Sequence, residues 1–280
     1  MRLLARFFLL LFVLVPSMLA FSGVSALAAP NAELWGRWVK NDPASTRSVE
    51  HTAWGEILQA HVTEGKDGIN RFSYARVSAD DRAALQSYIE RLESVLVSEL
   101  NRSGQLAFWI NLYNALTVRV VVEHFPVGSI REIDISPGLI SNGPWAKKLA
   151  RVEDEDISLD DIEHRILRPI WKDPRIHYAL NCAALGCPNL ATAAYTARTA
   201  DDMLTHAARA FINHPRGTNV KDGQLTVSSI YNWYKADFGG TDETVIAHIK
   251  RFAEGALESA LAGTKQIHGY TYDWSLNVAD

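Results

Sequence analysis

The sequence predicts an α+β fold, a helix-rich single domain with a small antiparallel or mixed β-sheet. Three observations lead there. Several stretches repeat their apolar residues at helical spacing, the β-type runs are short and scattered, and no shift of composition marks a domain boundary. The 280 residues are 48% hydrophobic and 21% charged, so a core can be filled and disorder is excluded. A formal net charge of −4 without a basic stripe argues against a nucleic-acid partner. Two cysteines form at most one bridge, which rules out a disulfide scaffold.

Residues 1–28 are expected to be a secretory signal peptide and not part of the fold. Arg2 and Arg6 supply its positive start, Phe7 through Val15 its apolar run, and Ala26-Leu27-Ala28 a small-x-small cleavage site. A spanning helix would need ~20 apolar residues without the break at Pro16. No stable membrane span is therefore expected after cleavage. The expected location is exported, periplasmic or extracellular, where thiols meet an oxidising compartment.

Residues 29–102 are expected to form an N-terminal arm and helices that pack on the core of residues 103–280. Trp35 and Trp38 dock the arm. A helix over His51–Val62 ends at the Gly-rich cluster from Glu64 to Gly68. Ser78-x-x-Asp81 is a capping box that opens a second helix, running to about Leu100. Ser103 starts a third, Gln105 to His124, stopped by Phe125-Pro126. A strand is predicted over Ile130–Ile135, then a loop from Ser136 to Ala150, then a charged solvated loop at Glu153–Asp156. Ser158-x-x-Asp161 caps a short helix that Pro169 ends. Arg175–Asn181 reads as a strand and Thr199–Asn213 as a helix. Asp222-Gly223 forms a hairpin turn before a strand at Leu225–Val227. Helices at Ser229–Asp237 and Thr241–Leu261 precede a final strand-like stretch, Gln266–Trp274.

Three stretches carry chemistry. The helix Ala107–Leu116 is apolar all round, so Asn111 and Asn114, three apart, must be buried. They either pin neighbouring loops or line a site, with Asn111 as an oxyanion donor. In Leu159–Ile166, Glu163 falls on the apolar face of Leu159, Ile162 and Ile166. It needs a cation such as Arg119, Arg168 or Arg175; otherwise Glu163 or His164 acts as an acid/base or orienting group.

The third stretch, Arg175–Pro188, is the richest. Strand alternation would put His177, Ala179 and Asn181 on one face, running into a turn that bears Cys182 and Cys187. The His-x4-Cys-x4-Cys spacing is not a zinc pattern, and neither a metal nor a cofactor is called for. The pair either forms a disulfide, or Cys187 is a thiolate activated by His177. Cys187 is expected to be exposed and Cys182 buried. Asp237, at a helix end, could orient a histidine. His206 and His214 are expected to be solvated.

These stretches resemble the family called domain of unknown function 547. The resemblance lies in Ala107–Leu116 (AFWINLYNAL), Leu159–Arg168 (LDDIEHRILR), Asp173–Pro188 (DPRIHYALNCAALGCP), Ser228–Phe238 (SSIYNWYKADF) and Tyr272–Asn277 (YDWSLN). It covers about Ser103 to Asn277. Some eukaryotic members join this domain to glutaredoxin-like and signalling modules, which implies thiol- or glutathione-linked chemistry without assigning roles to residues.

The expectation is thus an exported, thiol-dependent enzyme acting on a small molecule or peptide. Cys187 would be the nucleophile, His177 or His164 the base, Glu163 or Asp237 the orienter and Asn111 an oxyanion donor. Asn114 and Cys182 would support them. The chemistry would be hydrolysis, acyl transfer or thiol–disulfide exchange. The rival expectation is a non-catalytic envelope binding or scaffold protein with a structural Cys182–Cys187 disulfide.

Overall fold

The computed structural model describes residues 30–138 and 143–279. The expected leader, residues 1–28, lies outside them, as does part of the loop predicted from Ser136 to Ala150.

The centre of the molecule is a long helix, and its apolar surface explains its place. It follows α1 (Thr52–His61) and α2 (Ala79–Glu93) as α3, Arg102–His124. Every residue from Ala107 to Val118 is buried, as a helix apolar on all sides requires. Asn101 caps it by accepting the Gly104 N–H at 2.9 Å, slightly upstream of the predicted start. The box at Ser78 forms as expected: its hydroxyl accepts from the Asp81 N–H at 3.0 Å, and Asp81 accepts from the Ser78 N–H at 3.1 Å. α2 stops at Glu93, short of the predicted Leu100, and a 3₁₀ turn at Val97–Glu99 leads into α3.

Short antiparallel hairpins fill places read as loops. β1 (Val62–Glu64) and β2 (Asn70–Phe72) pair across the Gly-rich cluster. β3 (Lys148–Val152) and β4 (Glu155–Ser158) pair through a turn in which Glu153 and Asp154 both take positive φ. The charge run is therefore not simply solvated: the Glu153 carboxylate accepts from the Ser98 N–H at 2.6 Å and pairs with Arg37 at 3.5 Å.

After β4 the helix passes Pro169 instead of ending there. Residues Asp161–Leu167 wind as a π-helix and continue into α4 (Arg168–Trp171). A proline cannot donate to the carbonyl four residues back and crowds it, and the wider turn accommodates that. The Arg168 N–H bonds to Glu163, five residues back. The Arg165 carbonyl, four residues before Pro169, accepts from Trp35 at 2.9 Å, and the His164 carbonyl from Glu33 at 3.0 Å. The N-terminal arm thus lies along this helix. Trp38 is buried against Trp109 with ring centroids 5.0 Å apart, and the Arg165 guanidinium sits 4.5 Å from the Trp35 ring.

The predicted strand Arg175–Asn181 is a correction. Asp173 caps Pro174, accepting from the Arg175 N–H at 2.9 Å, so Pro174–Tyr178 winds as a 3₁₀ helix. Proline at a first helical position and an aspartate before it are start signals that override the β-type side chains. Ile176, His177 and Tyr178 are consequently buried in succession, with no two-residue alternation. The predicted strand at Ile130–Ile135 is likewise a 3₁₀ turn, Ile130–Glu132.

The C-terminal third follows α5 (Ala200–Ile212). β5 (Thr218–Lys221) and β6 (Gln224–Ser228) form the expected hairpin through Asp222-Gly223, and β7 (Gly269–Thr271) adds parallel to β6. The predicted helix at Ser229–Asp237 splits into α6 (Ile230–Trp233) and a 3₁₀ turn at Lys235–Phe238. The predicted helix Thr241–Leu261 is two: α7 (Asp242–Lys250) and α8 (Gly255–Leu261). The architecture is α+β and helix-rich, with sheets of two and three strands. One apolar cluster surrounds α3 and takes in Trp38, Trp54 and Leu276; a second lies between α5, α7 and the three-stranded sheet. Among the described residues no helix is long and apolar enough to cross a membrane.

Candidate functional site

The π-helix turns Glu163 and His164 inward together, although on an α-helix neighbours diverge by about 100°. Both are buried, as are Leu159, Ile162 and Ile166 beside them. Glu163 meets two groups. Tyr113 of α3 donates its hydroxyl to Oε2 at 3.2 Å, and His177 Nδ1 lies 3.6 Å from Oε1. On its other side His177 Nε2 is 2.7 Å from Asp237 Oδ2. Arg168 grips Asp237 with two nitrogens, at 2.6 and 3.2 Å, and also contacts His164 Nδ1 at 3.0 Å and the Pro30 carbonyl at 2.8 Å. The Tyr234 ring stacks on His177 at 4.2 Å, with the Arg168 guanidinium 4.8 Å from the same ring. His177 is thus an imidazole enclosed by two carboxylates and an aromatic face.

Burial would raise the Glu163 carboxyl, but His164, His177 and Arg168 outweigh it and hold it at about 2. Asp237 is likewise raised by burial, and its bonds to His177 and Arg168 bring it down to about 2. Burial disfavours the His177 imidazolium, yet Asp237 and Glu163 overcome that and raise its pKa above the ordinary value. His164 goes the other way, lowered first by burial. Asp160, 3.5 Å from His164, is pushed up to about 7 by burial and by repulsion from Glu163 and Asp161.

The turn after His177 holds the two sulfurs. Cys182 and Cys187 are free thiols with Sγ atoms 2.8 Å apart, farther than the ~2.05 Å of a disulfide bond. Cys187 Sγ also accepts from the Cys182 N–H at 2.9 Å, and Tyr272 Oη lies 2.9 Å from Cys182 Sγ. The turn is held by Asn181, which bonds the Ala183 N–H and the Pro188 carbonyl, and Ala183 takes the left-handed φ of 57°. Exposure is the reverse of the expectation: Cys187 is buried and Cys182 half-buried. Burial alone would raise the Cys187 thiol. Donation from Cys182, its contact with Tyr272 and the charge of Arg216 reverse that and bring it below the usual thiol range. Cys182 is raised, first by its bond to Cys187 and then by burial. Of the two, Cys187 is therefore the better anion.

The predicted residues fall into two adjoining groups. Glu163, His164, His177 and Asp237 come together around Arg168; Cys182 and Cys187 come together around Tyr272. Tyr113 stands between, bonded to Glu163 and within electrostatic range of both sulfurs. No imidazole hydrogen-bonds to either sulfur among the described residues. Asn111 and Asn114 serve the backbone. Asn111 pairs with Tyr195 N–H and C=O at 3.0 and 2.8 Å, and Asn114 with the Asn181 N–H and the Ala179 carbonyl, both at 2.9 Å. Of the cations predicted for Glu163, Arg168 acts on it electrostatically, whereas Arg119 and Arg175 bond elsewhere, to Leu149 and Asp173 among others. Tyr113, Tyr234 and Tyr272 were legible only as aromatics in their motifs, because a tyrosine pattern does not tell core from site. His206 is exposed as expected, whereas His214 Nε2 meets the Asp67 carbonyl at 2.8 Å.

Among the described residues no cluster of three or more His, Cys, Asp or Glu is arranged to hold a metal. With this geometry in place, the comparisons define the class. The model of a family described as "Protein of unknown function, DUF547" matches residues 97–212. Over that segment the chain is similar to the DUF547 family. The match takes in α3, the π-helix and the cysteine turn, but neither Asp237 nor Tyr272. No curated protein and no solved structure matches the chain.

Proposed function

We propose that this is an exported thiol–disulfide exchange protein in which Cys182 and Cys187 pass between dithiol and disulfide. The observation that carries the reading is the 2.8 Å approach of the two sulfurs, one half-buried and one buried. The reduced pair first sheds one proton. Within the monoanion the remaining proton shifts from Cys182 to Cys187, and the Cys182 thiolate attacks one sulfur of a substrate disulfide, releasing the other as a thiolate that takes up the proton first shed. Cys187 then gives up its proton and attacks Cys182 Sγ, closing the internal disulfide and expelling the second substrate thiol. Two protein thiols and one substrate disulfide become one protein disulfide and two substrate thiols. Among the described residues neither sulfur has an imidazole partner, which favours exchange over the hydrolysis or acyl transfer also expected from the sequence. The charged cluster around His177 then serves as a rigid polar wall beside the pair.

Reduced protein incubated with oxidised glutathione should lose two hydrogens in intact mass and recover both thiols on adding dithiothreitol. If both thiols stay open to alkylation after excess disulfide, the reading fails. If the protein emerges with a bridge that dithiothreitol cannot open, the non-catalytic scaffold reading takes its place.

A further inference from the structure

The C-terminal segment contributes a group that touches the reacting sulfur. We propose that Tyr272 is a catalytic residue of the exchange, donating its hydroxyl to the Cys182 thiolate when that sulfur attacks or leaves. The inference rests on the exchange reading above.

Tyr272 Oη is 2.9 Å from Cys182 Sγ. Its phenol is raised well above the ordinary value, first by burial and then by the neighbouring sulfurs, so the protonated, donating form is favoured. Its position is imposed from several sides. The segment after it lies antiparallel to the cysteine turn: Gly186 N–H donates to the Asp273 carbonyl and Leu185 N–H to the Ser275 carbonyl, both at 2.8 Å. The Asn277 N–H donates to the Ala183 carbonyl at 3.0 Å. The Tyr272 ring packs against both Trp233 and Trp274, with centroids 4.8 and 4.7 Å away, and the two indoles stack on each other at 5.6 Å. A hydroxyl so fixed needs no reorganisation when charge appears on the sulfur.

The chemistry follows from where the proton sits. In the resting pair Cys182 holds its proton and Cys187 is the better anion. Attack by the accessible sulfur requires the reverse arrangement, with the proton on Cys187 and charge on Cys182. The Tyr272 O–H stabilises that arrangement, and it stabilises Cys182 again as the departing thiolate when the internal disulfide is opened. The phenol gives a hydrogen bond and keeps its own proton, so the exchange stays balanced.

The test is the rate of Cys182 alkylation by iodoacetamide, and of exchange with oxidised glutathione, across pH in the wild type and Tyr272→Phe. Phenylalanine keeps the ring packed against the two tryptophans. A lost hydrogen bond to a charged sulfur should slow both reactions about tenfold or more near neutral pH. The pH midpoint of alkylation should rise, while the final disulfide still forms. Equal rates and midpoints in the two proteins would overturn the role of Tyr272 and leave the exchange reading standing. Failure of both proteins to close a disulfide would overturn the exchange reading, and the role with it. If Tyr272→Phe does not fold, the wild-type chain grown with fluorotyrosine, whose phenol is a stronger acid, should show a lowered midpoint. An unmoved midpoint there overturns the role.

Discussion

Asn111 and Asn114 on α3 each close a pair of hydrogen bonds with the backbone of a segment distant in sequence. Asn114 holds the stretch between His177 and Cys182, through the Ala179 carbonyl and the Asn181 N–H. Asn111, less than one turn away, does the same for Tyr195. A backbone group orphaned in the interior costs roughly 1–3 kcal/mol, more than the net gain from most hydrogen bonds made. Asn114→Ala should therefore destabilise the protein by about 2–5 kcal/mol, read from urea denaturation. Cysteine alkylation should also quicken, because the turn loses its anchor. An unchanged midpoint would remove the anchoring role. Burial of the two asparagines was legible from a helix with no polar face. Their partners were not, because a carboxamide's spacing on its own helix says nothing about which distant backbone will meet it. The same limit applied to Glu163: its inward direction could be read, but the Tyr113 and His177 contacts come from α3 and from beyond Pro174. Cys187 gave the opposite of its expected exposure, since the C-terminal segment that covers it lies some ninety positions away.

At the level of elements, the cysteine turn and the C-terminal segment form a two-layered joint. Gly186 is its tightest point. A Cβ there would lie 2.6 Å from the Asp273 nitrogen and 2.9 Å from its oxygen, and neither is a flexible side-chain end. Gly186→Ala should push the segment outward, carry Tyr272 away from Cys182 and destabilise the fold by about 1–3 kcal/mol. Hydrogen exchange at residues 272–277 should rise above that of α3, and wild-type protection there would refute the joint. The elements themselves were unevenly legible. The capping box at Ser78 and the Asp222-Gly223 turn were read correctly because each is fixed by side chains within a few residues. The stretch from Pro174 to Tyr178 was misread because a β-rich composition was weighed above the Asp173-Pro174 start. The π-winding before Pro169 was not legible: a proline marks a conflict within a helix, and whether the chain stops or widens depends on what takes up the freed carbonyl. Here the N-terminal arm does so through Trp35.

Across the whole molecule, the charged cluster joins elements that share no local sequence. The N-terminal arm meets Arg168, the π-helix carries Glu163, the 3₁₀ helix carries His177, and Asp237 comes from the C-terminal third. Its electrostatics should therefore appear in global stability. Glu163 and Asp237 are held near about 2, below their ordinary values, so their contribution is present above the usual carboxylate range. It is lost as pH falls from ~4 towards about 2. His177 is raised, so its contribution is complete below the ordinary histidine value of ~6.5 and disappears as pH rises through the elevated one. Glu163, Asp237 and His177 together should thus stabilise most between roughly pH 4 and 6.5, with His164, lowered by burial, working against them as pH falls below the ordinary histidine value. Glu163→Gln removes one carboxylate beside His177 and leaves Tyr113 and His177 with a weaker acceptor. At the plateau it should cost about 3–5 kcal/mol, the range for breaking a buried ion pair. The difference from wild type should shrink on both sides, towards acid where the lost carboxylate would be protonated and towards alkali where His177 is neutral. Urea midpoints measured across pH for the two proteins check this directly. A difference that stays constant with pH would mean that Glu163 acts by packing and hydrogen bonding alone, with no charge shared across the cluster.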